Sequence, residues 1–427
     1  MANDFNKEER VAFEQILEGF EDAEVMSRNV RKYPTDQTAM ERSQDTIWRP
    51  QPYIMNSFDG TDMSSNFNDK TQLAVPASIN IEKSVPWVMS QTELRDALQE
   101  NRLGEGAKQK LASDINVAVL NIASAQGSLV VPIAAAASGF DDVAEVEAIM
   151  NEQGVPDYDR VLALSTRDYN GMASNLADRG TMGSKVTKAY ERAYVGRIAS
   201  FETYKLDYAN RIAAAAGGAI TIDTTDDATN FYLPTAITTS PTTSERLNVD
   251  NRFQTVTVSA TANVAAGDAF TIDGVYAVHQ ITKQSTGQLK TFRVVSVDSG
   301  TTMTITPPII DPSSDVNGEA AVQYQNVTRD GGAGSATAAI TWLNIDPAAI
   351  NPFWQMDAIE ILPGRYVVPA NTGAAVMKGS TSSGIELCMT KQFDINTYTT
   401  KYRLDTRFGV VNKAPEMSGI LLFDQTP

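Results

Sequence analysis

The stretch RLNVDNRFQTVTVSATANVAAGDAFTIDGVYAV, Arg246 to Val278, decides how this chain is to be read. Val256, Val258 and Ala260 alternate with Thr255, Thr257 and Ser259, the period-two pattern of a half-buried strand. Asp273-Gly274 stands between two apolar runs, a two-residue hairpin signal. TFRVVSVDSGTTMTITP, starting at Thr291, repeats the design around Asp298-Ser299-Gly300. Thr, Asp, Ser, Val and Gly dominate from Ile220 to about Ala339, so the stretch is the middle of a small all-β barrel or sandwich. The polar TTSPTTSERLNVDN just upstream, from Thr238, predicts an exposed loop.

On both sides the pattern changes. Phe13, Ile16, Leu17 and Phe20 have the spacing of one helix face, with Asn6 and Glu9 as a start signal; Glu8, Glu9, Glu14, Glu18, Glu21 and Asp22 form an acidic opposite face. From Tyr33 to Val85 periodicity is lost, which marks an extended arm or functional loop; an arm that finds no burial on its own domain is expected to find it on a neighbour's. Ser90-Gln91-Thr92-Glu93 is a capping-box pattern that opens a helix carrying Leu94 and Leu98. Leu111, Ile115, Ala118, Val119 and Ile122 continue it, so one long helix is expected, bent or loosened near Gly104 and Gly106. The uncharged run Ile115 to Phe140 is long enough to span a bilayer, but its Asn, Ser, Gln and Pro residues make it a buried helix end followed by a strand.

Beyond Pro132, short strands and helices alternate. DDVAEVEAIMNEQG reads as a helix ending at Gly154, VLALS as a buried strand, and TRDYNGMASNLADRG as a helix capped by Ser165 or Thr166; SKVTKAYERAYVG is helical again. After the β segment, NPFWQMDAIEIL reads as a helix or packed turn leading into strands, and KYRLDTRFGVVNKAPEMSGILLF as two strands around a Pro-containing turn. The order is mixed, then β, then mixed: a β module inserted into an α+β host.

Composition narrows the function. The chain has 427 residues with 52 acidic against 35 basic side chains and a net charge of −17, which opposes general nucleic-acid binding. Cys388 is the one cysteine, so no intrachain disulfide forms, and His279 is the one histidine, so a His-based zinc site or a serine triad has almost nothing to use. His279 reads as an ordinary strand residue, and the Asp223, Asp226, Asp227 cluster lacks the spacing of a calcium loop. The N-terminus MANDFNKEER shows no export-signal pattern. No phosphate loop, H-E-x-x-H, C-x-x-C or G-x-S-x-G occurs, and no cofactor is expected. Weight therefore moves from enzyme to structural or binding protein.

LNVDNRFQTVTVSATANVAAGDAFTIDGV from Leu247, MERSQDTIWRP from Met40 and NPFWQMDAIEI from Asn351 resemble the major capsid (coat) protein of short-tailed temperate phages, most specifically over Asn248 to Val275. The closing RLDTRFGVVNKAPEMSGILL, from Arg403, is similar to the final strands of many tailed-phage coat proteins. The resemblance implies an α+β tailed-phage capsid fold. Its parts would be an N-terminal arm (1–35), an extended loop (36–85), a peripheral domain on a long spine helix (86–131), an axial domain with remaining peripheral elements (132–221 and 346–427) and a β-barrel insertion domain (222–345). It implies a virion shell protein, not an enzyme, that assembles with itself as pentamers and hexamers, with scaffolding protein and a portal, in the host cytoplasm. The shell would then expand around double-stranded DNA held without sequence-specific contacts, and no membrane would be involved.

Three sets of residues follow from the resemblance. Glu14 and Glu18 would receive a basic scaffolding helix; Glu245 or Asp250 would pair with Arg102 or Lys108 of another subunit; Gly104 and Gly106 would let the spine helix straighten. The alternatives are a carbohydrate-binding or adhesin-type β-rich protein and an acid-pair hydrolase.

Overall fold

Two units divide the chain of the computed structural model: residues 1–47, 77–121 and 359–411 form one, and residues 48–76, 122–358 and 412–427 the other. The structure describes all residues except 1–4, 6, 24, 34–45, 53, 56, 58, 59, 65, 66, 68, 69, 91, 92, 94–96, 179–195, 226, 313–315, 317, 330–333, 368–373, 382, 383 and 427, and side chains are further omitted at 8, 21, 22, 97–103, 174–178, 227 and 228.

In the first unit, Arg31–Lys32, Ile359–Pro363, Thr399–Asn412, Glu386–Asp394 and Ala375–Ser380 lie in that order in one sheet, and Ile81–Ser90 also pairs with Thr399–Asn412. Trp87 sits opposite Tyr402 in register and stacks on it, ring centroids 5.6 Å apart. Helix α1 (Lys7–Ala23) buries Phe13, Ile16 and Phe20, as its spacing predicts. Leu17 and Phe13 close over Gly379 of the sheet. Glu9, by contrast, leaves the acidic face: it is buried, pairs with Lys391 and accepts from the Tyr402 hydroxyl at 3.1 Å. A lone buried carboxylate would be costly, and these two partners satisfy it.

Helix α2 (Ala97–Gln126) runs unbroken for 30 residues through both glycines. Glu93 accepts from the Ser90 amide and hydroxyl as the capping-box pattern requires, while residues 94–96, the expected first turn, lie outside the described residues. Gly104 is buried, and a Cβ there would stand 2.6 Å from Ile16 Cδ1. Its role is thus close approach of α1 to α2. Asn116 completes the contact by donating to the Ala23 carbonyl and accepting from the Met26 amide, both at 3.1 Å, which satisfies groups at the end of α1.

Among the described residues the second unit holds two large sheets besides smaller two-stranded pairings. In the first, Leu129–Pro132, Ser418–Leu422, Asn351–Gln355, Arg160–Ser165, Phe201–Leu206 and Arg197–Ile198 follow one another. Helices α3 (Phe140–Glu152) and α4 (Thr166–Asp178) contribute Val143, Val146, Met150, Tyr169 and Met172 to the core shared with this sheet. Gly154 follows α3 at φ 79°, as its place after the last apolar turn predicts. The segment NPFWQMDAIEIL is not helical: Asn351–Gln355 and Ile359–Pro363 are strands in different sheets, and every residue of both is buried. Strands buried on both faces lose the alternating pattern that would have distinguished them from a helix. SKVTKAYERAYVG falls largely outside the described residues.

The second sheet is the barrel. Thr221–Ile222, Ala338–Trp342, Ala269–Val278, Ser285–Val297, Thr302–Thr306 and Gln254–Thr257 pair in that order, and a bridge between Ile222 and Val258 nearly closes the ring. Val256, Val258, Phe270, Ile272, Phe292, Val294, Met303 and Ile305 fill it. Asp298-Ser299-Gly300 lies between two paired strands, as expected, but Asp273-Gly274 is not a hairpin turn. Ala269–Val278 runs straight through it, with a register shift between Thr271 and Tyr276 and Gly274 at φ 75°: a bulge, which uses the same left-handed glycine as a turn.

Part of the segment read as lacking periodicity forms strands and packs on its own chain. Ile47–Pro50 pairs with Ala74–Ala77, and Leu73 is buried in the core of the barrel of its own chain. Thr71 exchanges two hydrogen bonds with the Gln323 side chain, and Lys70 pairs with Glu319.

Gly104→Ala is expected to lower the unfolding free energy by about 1–3 kcal/mol, because the added methyl must displace Ile16. Gly104→Ala combined with Ile16→Val should recover part of the loss in urea melts; a neutral single substitution would refute the close-approach role.

Candidate functional site

His279, Cys388 and Asp223, which the sequence offers for chemistry, are in structural use. His279 sits in the turn after Ala269–Val278, where its Nδ1 accepts from the Ile281 and Thr282 amides at 3.2 Å. Burial pushes the Cys388 thiol up to about 11, which keeps it an inert thiol. Asp223 accepts from the Thr225 amide and hydroxyl, while the side chains of Asp226 and Asp227 lie outside the described residues. Among the described residues no group of three acids, histidines or cysteines could hold a metal ion, and no helix is long and apolar enough to cross a membrane.

What remains is surface. On α1, Val11, Glu14, Gln15 and Glu18 are all exposed and share one stripe by their i, i+3, i+4, i+7 spacing. Glu14 and Glu18 are like charges one turn apart, an arrangement that costs the isolated helix a few tenths of a kcal/mol, about 0.2–0.5. The side chains of Glu8, Glu21 and Asp22 lie outside the described residues.

The segment expected as a loop is a hairpin. Ile237–Thr239 pairs with Arg246–Asn248, and every residue of both strands is exposed. At the tip, the Ser240 amide donates to the Glu245 carbonyl and the Ser244 amide to the Ser240 carbonyl, both at 2.9 Å, with Ser244 at φ 59°. Asn251 clamps the base: its Oδ1 accepts from the Thr235 amide and the Tyr232 hydroxyl at 3.0 Å, and its Nδ2 donates to the Thr235 and Val249 carbonyls. Asp250 holds Arg252 by two side-chain bonds of 2.9 and 2.7 Å, and Arg252 donates onward to the Asn412 carbonyl. Asp250 therefore stands in an ion pair of its own chain, and Glu245 is the acid carried at the tip.

The remaining expected residues are spread out. Lys108 is half-buried beside Gly19 of α1, where a Cβ on that glycine would meet its ammonium; the side chain of Arg102 lies outside the described residues. Gly104 is the packing contact described above, whereas Gly106 is exposed with open space around its Cα. Sequence reasoning missed Asn251 and Arg252, although an Asx residue beside a strand end is a recognisable local clamp.

Residues 1–424 match the family model described as "P22 coat protein - gene protein 5". Among solved structures, "CUS-3 coat protein I-domain" is 37% identical, covering 30% of this chain and 98% of that one with a TM-score of 0.22. "Mycobacterium phage Che8" is 8% identical, covering 93% and 90% of the two chains, TM-score 0.44. "Capsid structure of the Cyanophage P-SCSP1u" is 11% identical, covering 92% and 85%, TM-score 0.42. Because the family match extends over both units and the inserted barrel, the chain belongs to the P22 coat protein family, and is a major capsid protein of an icosahedral phage shell, a structural protein and not an enzyme.

Proposed function

We propose that the chain assembles in the host cytoplasm as pentamers and hexamers around scaffolding protein and a portal, and that the resulting procapsid expands as double-stranded DNA enters. The observation that carries this reading is the hairpin Ile237–Asn248. A two-stranded hairpin with no buried face is marginal in water, and this one exposes Ile237 and Leu247. A neighbouring subunit would complete it. Glu245 at its tip would pair with Arg102 or Lys108 of that neighbour, and the exposed stripe of Glu14 and Glu18 would take a basic scaffolding helix. The net charge of −17 supports a shell whose wall leaves packed DNA mobile.

An exposed ion pair contributes only about 0–1 kcal/mol, so the hairpin contact selects geometry more than it adds stability. In a closed lattice the same contact would recur at every equivalent interface.

Co-assembly of the purified chain with scaffolding protein tests the reading directly. Electron microscopy should show closed shells of uniform size, and particles that stay discrete monomers at every concentration would overturn it. Glu14→Lys with Glu18→Lys should lower scaffold content severalfold, and raised salt should do the same to the unchanged protein. Normal content in both would remove the acidic stripe from the mechanism.

Glu245→Lys should turn a fraction of shells into aberrant or open forms while leaving the melting of the subunit within about 0.5 kcal/mol. Unaltered shell size and yield would count against the tip contact. Gly106→Ala, which adds no clash, should slow heat-driven expansion of empty shells; an unchanged expansion rate would exclude Gly106 as a point of bending.

A further inference from the structure

Helix α2 ends at Gln126, and the carbonyls of its last turn have no partner further along the helix. The chain turns at once into Leu129–Pro132, so this end is enclosed and solvent offers little help. Only 1% of Arg293, from the barrel strand Ser285–Val297, is exposed. Its Nη1 donates to the Ser124 carbonyl at 2.7 Å and, more weakly, to the Gly127 carbonyl at 3.4 Å. Its Nε and Nη2 are held by the Gly267 carbonyl at 3.2 and 3.0 Å.

No carboxylate accepts a hydrogen bond from this guanidinium among the described residues; its acceptors there are all main-chain carbonyls. Burial lowers its pKa to about 10, with Asp268 opposing the shift, so the group stays charged at neutral pH. A buried cation is costly, and the negative end of a helix is one of the few neutral groups able to stabilise it. The planar fork of the guanidinium matches this position, with one edge facing the helix end and the other the Gly267 turn.

The neighbouring positions reinforce the placement. Thr291, on the same face of the strand, donates to the Ser128 carbonyl at 2.8 Å. Ser128 in turn donates through its amide and hydroxyl to the Pro415 carbonyl at 3.1 and 2.9 Å. Residues 124–128 are thus held between the barrel and the turn at Pro415. The division between the two units falls inside α2, after Asn121, so the carbonyls that Arg293 grips belong to the short helical end that stays with the barrel.

We propose that Arg293 is a positioning residue by which the barrel fixes the C-terminal end of the spine helix, so that any change in the course of this helix during shell expansion is confined to residues N-terminal to Ser124. The barrel then serves as the fixed mount of the helix in addition to carrying the exposed hairpin. All of these contacts lie within one subunit, so the mount stands or falls separately from the assembly contacts proposed above.

Hydrogen–deuterium exchange of the full-length chain decides the matter. In Arg293→Met, the peptide covering residues 120–128 should exchange at least about tenfold faster, while Gln254–Thr257 and Thr302–Thr306 stay within about twofold. Arg293→Lys, which keeps the charge but not the fork, should give an intermediate increase confined to the same peptide. Unchanged exchange at residues 120–128 in a folded variant overturns the proposal. Equal loss of protection in the barrel strands of Arg293→Lys, including outright failure to fold, also overturns it, because the residue would then serve the barrel core.

Discussion

The inserted barrel leaves and re-enters its host through one short antiparallel stem, Arg211–Ile212 against Ala348–Ala349, and the second unit depends on that closure. The stem is extended by the Ala215 amide bonding to the Asn344 carbonyl and the Ile350 amide to the Asn210 carbonyl. Asn344, fully buried, ties the stem to the barrel by donating to the Ala213 carbonyl and to Asp268 while accepting from the Ala269 amide. With the ends of the insertion held together, the long excursion costs the host little more than a short loop would, since closure entropy grows only with the logarithm of length.

Some of the charges that go into the interior lie where separate segments meet. Lys290 reaches Glu416 and Gln153 at 2.7 and 2.8 Å and so joins the barrel to the Pro415 turn and to the end of α3. Arg329 pairs with Asp311 at 2.8 Å within the barrel, with its guanidinium over the Phe231 ring. Breaking such a pair strands a charge, at about 3–5 kcal/mol, which makes each junction specific as well as stable. A capsid subunit must keep its own form while offering several distinct surfaces to its neighbours. In this chain the form comes from buried junctions, while the α1 stripe and the hairpin carry exposed side chains.

Local patterns were readable where one periodicity ruled. α1 and α3 follow their apolar spacing, and Arg160–Ser165 is the buried strand its apolar run announces. Reading failed where one signal serves two structures. Asp-Gly fits a turn and a bulge alike, because both need a left-handed residue. The apolar run Pro352-Phe353-Trp354 within Asn351–Gln355 shows no alternation and fits a helix and a doubly buried strand alike. Glu9 looked like one of several surface acids because nothing local reveals that Lys391 and Tyr402, nearly four hundred residues away, converge on it. Of the candidate site, the acidic face of α1 and the polar character of the segment around Glu245 were legible in the sequence, but the ion pair between Asp250 and Arg252 was not.

The sequence by itself determined the class of the molecule: an acidic α+β chain with one cysteine and one histidine, interrupted by an all-β module, and similar to phage coat proteins. Those properties are sums or short-range patterns, and a linear string contains them in full. Only the tertiary structure decided that Leu73 of the arm enters the barrel core, that Gly104 packs against Ile16, and that Arg293 meets the end of α2. Each of these is a meeting of residues far apart in the chain. Its energy comes from burial and from satisfying polar groups out of water, quantities that come into being when the segments pack.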